Sequence, residues 1–133
     1  MPEKIKPIVY IVDDDDSVRR AIKRLIRSTG MEARTFASAD EFLKARPSEK
    51  NACLIADVKM RGITGLELHQ KLIALGSRLP VVYITAYDTE EIRAQAKKSG
   101  AVGYFRKPVD DQALLDAIQW ALSRQGSKEV LEK

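Results

Sequence analysis

Short apolar runs and helical patterns alternate five times along this chain of 133 residues. Residues 8–12 form a continuous run of β-branched and aromatic side chains, and residues 52–57 form an apolar run that ends in a carboxylate. Further runs cover residues 32–36, 80–85 and 102–105. Runs that are apolar at every position are typical of strands with both faces covered. The pattern therefore predicts five strands that lie between layers of helix.

Each predicted strand is followed by a helical pattern with a start signal or an apolar stripe. A Ser or Thr followed three residues later by Glu is a capping box, and it opens two of the helices. The start signals are Ser38 with Glu41, Thr64 with Glu67, and Asp110 or Asp111. The apolar stripes are Val18, Ile22, Leu25 and Ile26 in the first helix, Leu68 and Leu72 in the third, and Leu114, Ile118 and Leu122 in the fifth, while the fourth helical segment, 89–99, is only weakly apolar. Five strand–helix units with short links predict an α/β fold, in which a parallel sheet carries helices on both faces.

The size of the chain fits one domain, since a mass of 14.9 kDa is enough for one sizeable core but not for two. Residues 1–125 are predicted to form this domain, and the polar residues 126–133 a frayed end or the start of a linker. No apolar run approaches the roughly 20 residues of a membrane span, and the N-terminus has no signal-peptide pattern. The single cysteine, Cys53, excludes an internal disulfide, so we expect a cytoplasmic location.

The positive charges do not form a nucleic-acid-binding pattern. The formal net charge is +4, but the Lys and Arg residues are spread along the chain. The densest cluster has helical spacing and consists of Arg19, Arg20, Lys23, Arg24 and Arg27. A solvated helix face is the simpler interpretation of this cluster, and a dedicated binding patch is the alternative. We expect no direct binding of nucleic acid by this domain.

Charged and hydroxyl side chains cluster at the predicted carboxyl ends of the strands, where open parallel sheets bind their ligands. Asp13 and Asp14 follow the first strand, Asp57 ends the third, Thr85 ends the fourth and Lys107 follows the fifth. Three carboxylates in one crevice repel one another unless a cation is present. An oxygen-rich site of this kind suits Mg²⁺ better than a caged Ca²⁺, and His and Cys are too few for zinc.

The same edge of the predicted sheet offers groups that bind phosphate. The Lys107 ammonium is a point charge for phosphate oxygens, and the Thr85 hydroxyl and the Ala86 backbone N–H are further donors. A carboxylate nucleophile, a divalent cation and donors of this kind together make an aspartyl-phosphate site. The residues therefore predict such a site at the carboxyl ends of the strands.

Five short motifs at this edge resemble the landmarks of one family. They are, in order, Ile11–Asp14, Ile55–Met60, Gly65, Ile84–Ala86 and Arg106–Pro108. In these motifs the chain resembles the receiver domains of two-component response regulators, in particular those of nodulation-type (LuxR-class) transcriptional regulators. The resemblance covers about residues 7–124 and implies a flavodoxin-like (βα)5 fold, with a doubly wound five-stranded parallel sheet in the strand order 2-1-3-4-5.

The resemblance implies a role for each residue of the acidic site. Asp57 would accept a phosphoryl group from a sensor histidine kinase or a phosphotransfer protein. Mg²⁺, or Mn²⁺ in its place, would be bound by Asp14 directly, by Asp13 largely through water, by Asp57, and by the backbone carbonyl of Lys59. The domain would be a signalling phosphoacceptor with weak self-catalysed phosphorylation and dephosphorylation, not a conventional enzyme.

The resemblance also implies how phosphorylation is read out. Lys107 would pair with the phosphoryl group, with Thr85 and Ala86 as further phosphate-binding residues, and the Lys107–Pro108 peptide bond would be cis. Thr85 would move toward the phosphate while Tyr104 turns inward. Dimerisation on phosphorylation is implied through the last helices. No helix-turn-helix segment follows residue 124, so we expect the domain to stand alone or to act on an effector outside this sequence.

Three positions bear on how this chain differs from its family. Arg61 stands where the family usually has proline, so the loop after Asp57 is expected to be more mobile or partly remodelled. Lys59 and Tyr87 occupy the positions that tune hydrolysis of the acyl phosphate in this family. A bulky Lys–Tyr pair would hinder the attacking water, so we expect slow dephosphorylation.

Other interpretations of the site stay open at this point. Asp13 and Asp14 are also suited to capping the following helix, and Tyr104 to packing in the core. An aspartyl-phosphate hydrolase of the haloacid-dehalogenase type uses similar chemistry, but it needs an aspartate where Lys59 stands and a cap region. A flavodoxin-like scaffold that had lost phosphorylation would not need the acid pair, Asp57 and Lys107.

Three residues outside the site have simpler interpretations. His69 lies one position off the apolar stripe of its helix and is expected at the surface. Cys53 is expected to be a small buried strand residue and not a nucleophile. Trp120 and the last helix are equally suited to a dimer face and to ordinary packing.

Overall fold

A five-stranded parallel sheet forms the centre of the computed structural model, which describes residues 6–131 and the side chains of residues 6–124. The strands are β1 (Ile8–Val12), β2 (Glu32–Phe36), β3 (Ala52–Asp57), β4 (Val81–Thr85) and β5 (Gly103–Arg106). The helices are α1 (Asp16–Ser28), α2 (Ala39–Ala45), α3 (Gly65–Ala74), α4 (Glu90–Lys98) and α5 (Asp111–Leu131). Strands and helices alternate along these residues, as the sequence pattern predicts.

The sheet has the order β2-β1-β3-β4-β5, and each pair of neighbouring strands is parallel. The predicted fold class and strand order are therefore confirmed. Val12 pairs with Ala56, and the next residue of β3, Asp57, pairs with Ile84. In this register the carboxyl ends of β1, β3 and β4 meet at one edge of the sheet.

Apolar side chains fill a core on each face of the sheet. On one face, α1 and α5 contribute Ile26 and Ile118, and on the other, α2 and α3 contribute Phe42 and Leu68. All four side chains are fully buried, and burial of a side chain of this size contributes about 1.5–3 kcal/mol. The central strands lie between these layers, which is why they are apolar at nearly every position. Helix α4 buries only Ala96, in agreement with its weak apolar pattern.

Side-chain caps define where the helices begin. Thr64 and Glu67 form the predicted capping box of α3: Thr64 Oγ1 accepts the Glu67 N–H at 3.1 Å, and Glu67 Oε1 accepts the Thr64 N–H at 2.9 Å. At α1, the Asp15 carboxylate accepts two backbone N–H groups of the first turn. Because Asp15 supplies this cap, Asp13 and Asp14 are not needed for it.

Helix α5 continues beyond the domain boundary predicted at residue 125 and ends at Leu131. The segment predicted as a frayed end or the start of a linker is helical as far as this residue, and residues 132–133 lie outside the described part of the chain. The domain boundary at residue 125 stays a prediction. Gln, Lys and Glu are good helix formers, so a polar composition by itself does not end a helix. Neither α5 nor any other described helix has the length and apolarity needed to cross a membrane.

His69 is buried, so the expectation of a surface histidine was wrong. Its side chain is 6% exposed, and its Nδ1 lies 2.8 Å from the hydroxyl of Tyr83 in β4. The Tyr83 hydroxyl also donates to Ser99 Oγ at 3.3 Å. Burial lowers the pKa of His69, so the neutral imidazole is favoured. A hydroxyl on the facing strand satisfies this imidazole, and the spacing of apolar residues along α3 does not reveal such a partner.

Gly65 lets α3 begin directly against the end of β3. Its N–H donates to the carbonyl oxygen of Val58 at 3.0 Å. A Cβ atom at this position would overlap the backbone carbonyl oxygen of Asp57 and would lie 2.9 Å from its carbonyl carbon. These are backbone atoms of a central strand, so they cannot move aside without displacing Asp57.

We expect Gly65→Ala to destabilise the fold by about 1–3 kcal/mol, the usual effect of overpacking. Gly103→Ala is a matched control, because its Cβ would meet only side-chain atoms, the nearest at 3.3 Å on Val82. Urea unfolding followed by circular dichroism measures both free energies of unfolding. Small and equal losses in the two variants would contradict the close approach of α3 to Asp57.

Candidate functional site

Asp13, Asp14 and Asp57 lie together at the carboxyl edge of the sheet. Asp13 and Asp14 follow β1, and Asp57 is the last residue of the neighbouring strand β3. One carboxylate oxygen from each of the three residues lies within 4.8 Å of the other two. Asp13 and Asp57 are buried, and Asp14 is partly exposed. The predicted convergence of the three carboxylates is confirmed.

Lys107, just after β5, contacts both buried carboxylates. Its Nζ lies 2.9 Å from Asp13 Oδ2 and 3.2 Å from Asp57 Oδ2. The contact with Asp57 is a directed hydrogen bond, whereas the contact with Asp13 is an ion pair without hydrogen-bond geometry. Asp13 Oδ2 is therefore a buried oxygen that has a charged neighbour but no hydrogen-bond donor among the described residues. The Lys107–Pro108 peptide bond is cis.

The charges of this cluster shift its pKa values. Burial, and after it the Asp13 carboxylate, raise the pKa of Asp57 to about 6 against the opposing effect of Lys107. Burial by itself would lower the pKa of Lys107, but the contacts with Asp13 and Asp57 raise it above its ordinary value. Lys107 therefore stays charged, and Asp57 is largely ionised at neutral pH. The ionised carboxylate is the form that acts as a nucleophile.

The acidic cluster fits a hard divalent cation. Three carboxylate oxygens within 4.8 Å of one another form a donor set that Mg²⁺ and Mn²⁺ prefer. Asp13 Oδ2 also fits, because this buried oxygen meets Lys107 in an ion pair but has no hydrogen bond of good geometry with the described residues, and a cation or a water bound to it would complete its surroundings. Asp13, Asp14 and Asp57 are the residues that would hold such an ion.

Thr85 lies one residue beyond the β4 position that pairs with Asp57, and it is fully buried. Its hydroxyl oxygen accepts the Tyr87 N–H at 2.9 Å, and its carbonyl oxygen accepts the Lys107 N–H at 2.8 Å. Ala86 follows it and is exposed. The predicted phosphate-binding residues Thr85, Ala86 and Lys107 thus share one edge of the sheet.

Tyr104 forms a hydrogen bond with Asp88, a residue that the sequence analysis missed. Its ring packs against the core, and its hydroxyl donates to Asp88 Oδ1 at 3.0 Å. Arg93 donates to both carboxylate oxygens of Asp88, each at 3.1 Å. An acidic residue directly before the helix cap Thr89, with an arginine on the first turns of that helix, is the sequence signal for this pair.

Lys59 and Tyr87 contact each other beside Asp57. The Lys59 ammonium lies 5.2 Å from the centre of the Tyr87 ring, in a cation–π arrangement. The Lys59 N–H donates to Asp57 Oδ1 at 3.3 Å, which anchors the pair next to that carboxylate. Binding of a cation by the Lys59 carbonyl oxygen stays a prediction.

Arg61 binds Asp14, a contact that the sequence analysis also missed. The Arg61 backbone N–H donates to Asp14 Oδ2 at 3.1 Å, and Arg61 Nε lies 3.6 Å from the same oxygen. The loop after Asp57 is thus attached to the loop after β1. The sequence signal was the replacement of the usual proline by a residue that keeps its N–H.

Cys53, the basic residues of α1 and Trp120 were also singled out from the sequence, and they lie outside the acidic cluster. Cys53 is fully buried in β3, as predicted, and burial raises the pKa of its thiol to about 12. Arg20 of the basic cluster is exposed and pairs with Asp16 at 3.2 Å, as expected on a solvated helix face. Arg19 differs, because its side chain is only 17% exposed and, besides its ion pair with Asp16 at 3.1 Å, it donates to the backbone carbonyl oxygen of Asp13 at 2.6 Å. Trp120 is 54% exposed on α5, and its place in a dimer face stays a prediction.

This chain is similar over most of its length to proteins of one family. Residues 9–119 match the family described as response regulator receiver domain. Transcriptional regulatory protein TdiR of Thauera aromatica is 41% identical over 115 residues, which are 86% of this chain and 51% of that protein. Nodulation protein W of Bradyrhizobium diazoefficiens is 36% identical over 128 residues, 96% of this chain and 56% of that protein. The chain thus spans about half the length of these two relatives.

Solved structures share the fold over nearly the whole chain. The low-resolution structure of the response regulator StyR has a TM-score of 0.85 and 40% identity, and the match covers 96% of this chain and 67% of that chain. The crystal structure of FixJ-N has a TM-score of 0.82 and 30% identity, with 90% and 96% covered. The strand order of the sheet agrees with these similarities.

Replacing Asp13 by Asn is expected to lower the pKa of Asp57 below about 6, because it removes the carboxylate that repels the ionised form. As pH rises, Asp57 should lose its proton near pH 6 in the unchanged protein and at lower pH in Asp13→Asn. Carbon-13 NMR of the carboxyl groups, recorded without divalent cations, follows both titrations. Asp116→Asn on the exposed side of α5 is the matched control. An unchanged or higher pKa in Asp13→Asn would contradict the repulsion.

Proposed function

Because the chain belongs to the response regulator receiver domain family, we propose that Asp57 is the phosphoacceptor of a two-component phosphorelay. The donor is a sensor histidine kinase or a phosphotransfer protein, and the transfer depends on Mg²⁺. One observation carries the proposal: Asp57 ends a central strand within 4.8 Å of two other carboxylates and 3.2 Å from the Lys107 ammonium. Phosphorylation of Asp57 controls an output domain or a partner protein.

Asp57 acts as the nucleophile in this transfer. A carboxylate oxygen attacks the phosphorus of a phosphohistidine, a P–O bond forms, the P–N bond breaks, and the imidazole leaves with the electron pair. Lys107 and the Lys59 N–H each hold one oxygen of Asp57, which orients the carboxylate. With a pKa of about 6, Asp57 is mostly ionised at neutral pH and needs no separate base.

A divalent cation would be held by Asp13, Asp14, Asp57 and the backbone carbonyl of Lys59. When bound, Mg²⁺ or Mn²⁺ would neutralise negative charge on the phosphoryl oxygens. The three carboxylates supply the charge that attracts this ion, and the buried oxygen Asp13 Oδ2, which has an ion pair with Lys107 but no hydrogen bond of good geometry among the described residues, supports its location.

Thr85 and Tyr104 carry the response to phosphorylation in this proposal. The Thr85 hydroxyl accepts a backbone N–H and keeps its own hydrogen for a phosphoryl oxygen. Lys107 and the Ala86 N–H are further donors to the phosphoryl group. As Thr85 moves toward the phosphate, Tyr104 turns inward and its hydrogen bond to Asp88 breaks. The weakly buried helix α4 adjoins this face, which supports a rearrangement there.

The domain acts as a signalling phosphoacceptor that catalyses its own phosphorylation and dephosphorylation only weakly. It works in the cytoplasm, without direct contact to nucleic acid or membrane, and dimerises on phosphorylation through its last helices. The exposed Trp120 on α5 supports this choice of face. The contact of Lys59 with Tyr87 beside Asp57 supports slow hydrolysis, since both side chains limit the approach of water to the acyl phosphate.

Incubation with Mg²⁺ and acetyl phosphate should add one phosphoryl group, which intact-mass analysis detects. Asp57→Asn should abolish the adduct, because an amide is not a nucleophile, whereas Asp116→Asn should retain it. Removal of divalent cations with EDTA should also abolish the reaction. An unchanged protein that gains no adduct, or an Asp57→Asn variant that gains one, would reject Asp57 as phosphoacceptor.

Lys59→Asn and Tyr87→Glu should each shorten the phosphate lifetime, because both changes open a path for water. We expect an effect on the order of tenfold, which corresponds to about 1.4 kcal/mol in the barrier to hydrolysis. Loss of radiolabelled phosphate from purified protein measures the lifetimes. Lys97→Asn, at an exposed position of α4, controls for the change in charge. Lifetimes equal to that of the unchanged protein would reject a role for the Lys59–Tyr87 pair.

A further inference from the structure

Asp14 differs from the other two carboxylates of the cluster in its partners. Asp13 and Asp57 pair with Lys107, whereas the partners described for the Asp14 side chain both belong to Arg61. One is a neutral backbone N–H at 3.1 Å, and the other is the guanidinium Nε at 3.6 Å, and both meet the same oxygen, Oδ2. Asp14 thus has a counter-ion of its own.

This counter-ion is exchangeable. The Arg61 side chain is 90% exposed, and the Asp14 side chain is 27% exposed, so water reaches both groups. An ion pair in such surroundings is weak and sensitive to salt. The Lys107 side chain, in contrast, is 17% exposed and lies between two buried carboxylates. Of the described cations that pair with these three carboxylates, Lys107 is held in place, whereas Arg61 moves away at little cost in free energy.

The structure assigns to Arg61 a further role: its guanidinium is an internal cation that competes with the divalent ion for Asp14 and so sets the affinity of the site. This inference rests on the proposed function, because it assumes that Asp14 is a ligand of Mg²⁺. The backbone N–H of Arg61 acts differently, because it carries no net charge and holds the Asp14 carboxylate beside Asp13 and Asp57. Arg61 is thus a positioning residue through its backbone and a competitor through its side chain.

The two parts of Arg61 are separable by substitution. Arg61→Ala removes the guanidinium and keeps the N–H, Arg61→Lys keeps a positive charge, and Arg61→Pro removes both the charge and the N–H. Arg24→Ala is the matched control, because it makes the same change in net charge at an exposed position of α1. The experiment is a titration of the unphosphorylated full chain with MgCl₂ by calorimetry, and with Mn²⁺ by electron paramagnetic resonance.

We expect Arg61→Ala to bind Mg²⁺ about threefold more tightly than the unchanged protein at low ionic strength. The gain should shrink when salt is raised from about 20 mM to about 300 mM, since screening weakens exposed charges. Arg61→Lys should stay near the unchanged protein. Arg61→Pro should bind more weakly than Arg61→Ala, because it loses the bond that positions Asp14.

Equal affinities of Arg61→Ala and the unchanged protein would overturn the inference while leaving the phosphoacceptor role of Asp57 intact. Equal gains in Arg61→Ala and Arg24→Ala would also overturn it, since the effect would then reflect net charge alone. If neither the unchanged protein nor Arg61→Ala bound a divalent cation, the cation-dependent part of the proposed function would fail together with the inference.

Discussion

The two ion pairs of Lys107 with Asp13 and Asp57 are the interactions on which the arrangement of the sheet edge depends. Two buried carboxylates so close together repel each other, and a buried charge without a partner is strongly unfavourable. The strand order makes this ion pairing possible: β1 and β3 are neighbours, and β4 separates β3 from β5, so the long Lys107 side chain must extend past the end of β4. The backbone N–H of Lys107 also donates to the carbonyl oxygen of Thr85. One residue therefore connects the ends of four strands.

The strands, the helix starts and the residues at the carboxyl edge of the sheet could be predicted from the sequence, because each depends on a pattern of residues close together in the chain. Residues 52–57 are apolar up to a terminal aspartate, and this pattern is typical of a strand that is covered on both faces and ends at the edge of the sheet where ligands bind. Given a parallel sheet, the residues after each strand must share that edge, so Asp13, Asp57 and Lys107 could be brought together without coordinates. Thr64 and Glu67 defined the start of α3 for a similarly local reason, since a capping box involves only one helical turn. The alternation of strands and helices could be assigned in this way, but the end of α5 could not, because polar residues do not by themselves end a helix.

The contacts that sequence analysis missed join side chains from different loops. Arg61 and Asp14 are 47 residues apart and follow no periodicity, so their hydrogen bond becomes visible only when the loops after β1 and β3 are adjacent. The partner of Tyr104 was missed for the same reason, since Asp88 lies between β4 and α4, where no repeat pattern applies. His69 was assigned to the surface because the apolar stripe was taken as the limit of the buried face, and the polar partner Tyr83 lies on another element. Polar partners across elements are thus the information that one-dimensional patterns lack.

The electrostatics of the cluster link cation binding to the stability of the fold. The pKa of Asp57 is about 6 in the folded chain and 3.8 as its ordinary value, so between these pH values the folded chain binds more protons than the unfolded chain. Stability contributed by this group therefore falls as pH rises from about 4 to about 6 and is level above that range. A divalent cation that binds the ionised, folded cluster would oppose this loss by mass action, and its effect would be fully present only above about pH 6, where Asp57 is ionised.

Lys107 compensates part of the repulsion between Asp13 and Asp57 in the absence of a cation, but it cannot leave without depriving two buried carboxylates of their ion-pair partner. Arg61 is exposed and can leave, and under the proposed function this asymmetry between a fixed and an exchangeable counter-ion would allow the site to be assembled before a cation binds and still to admit it.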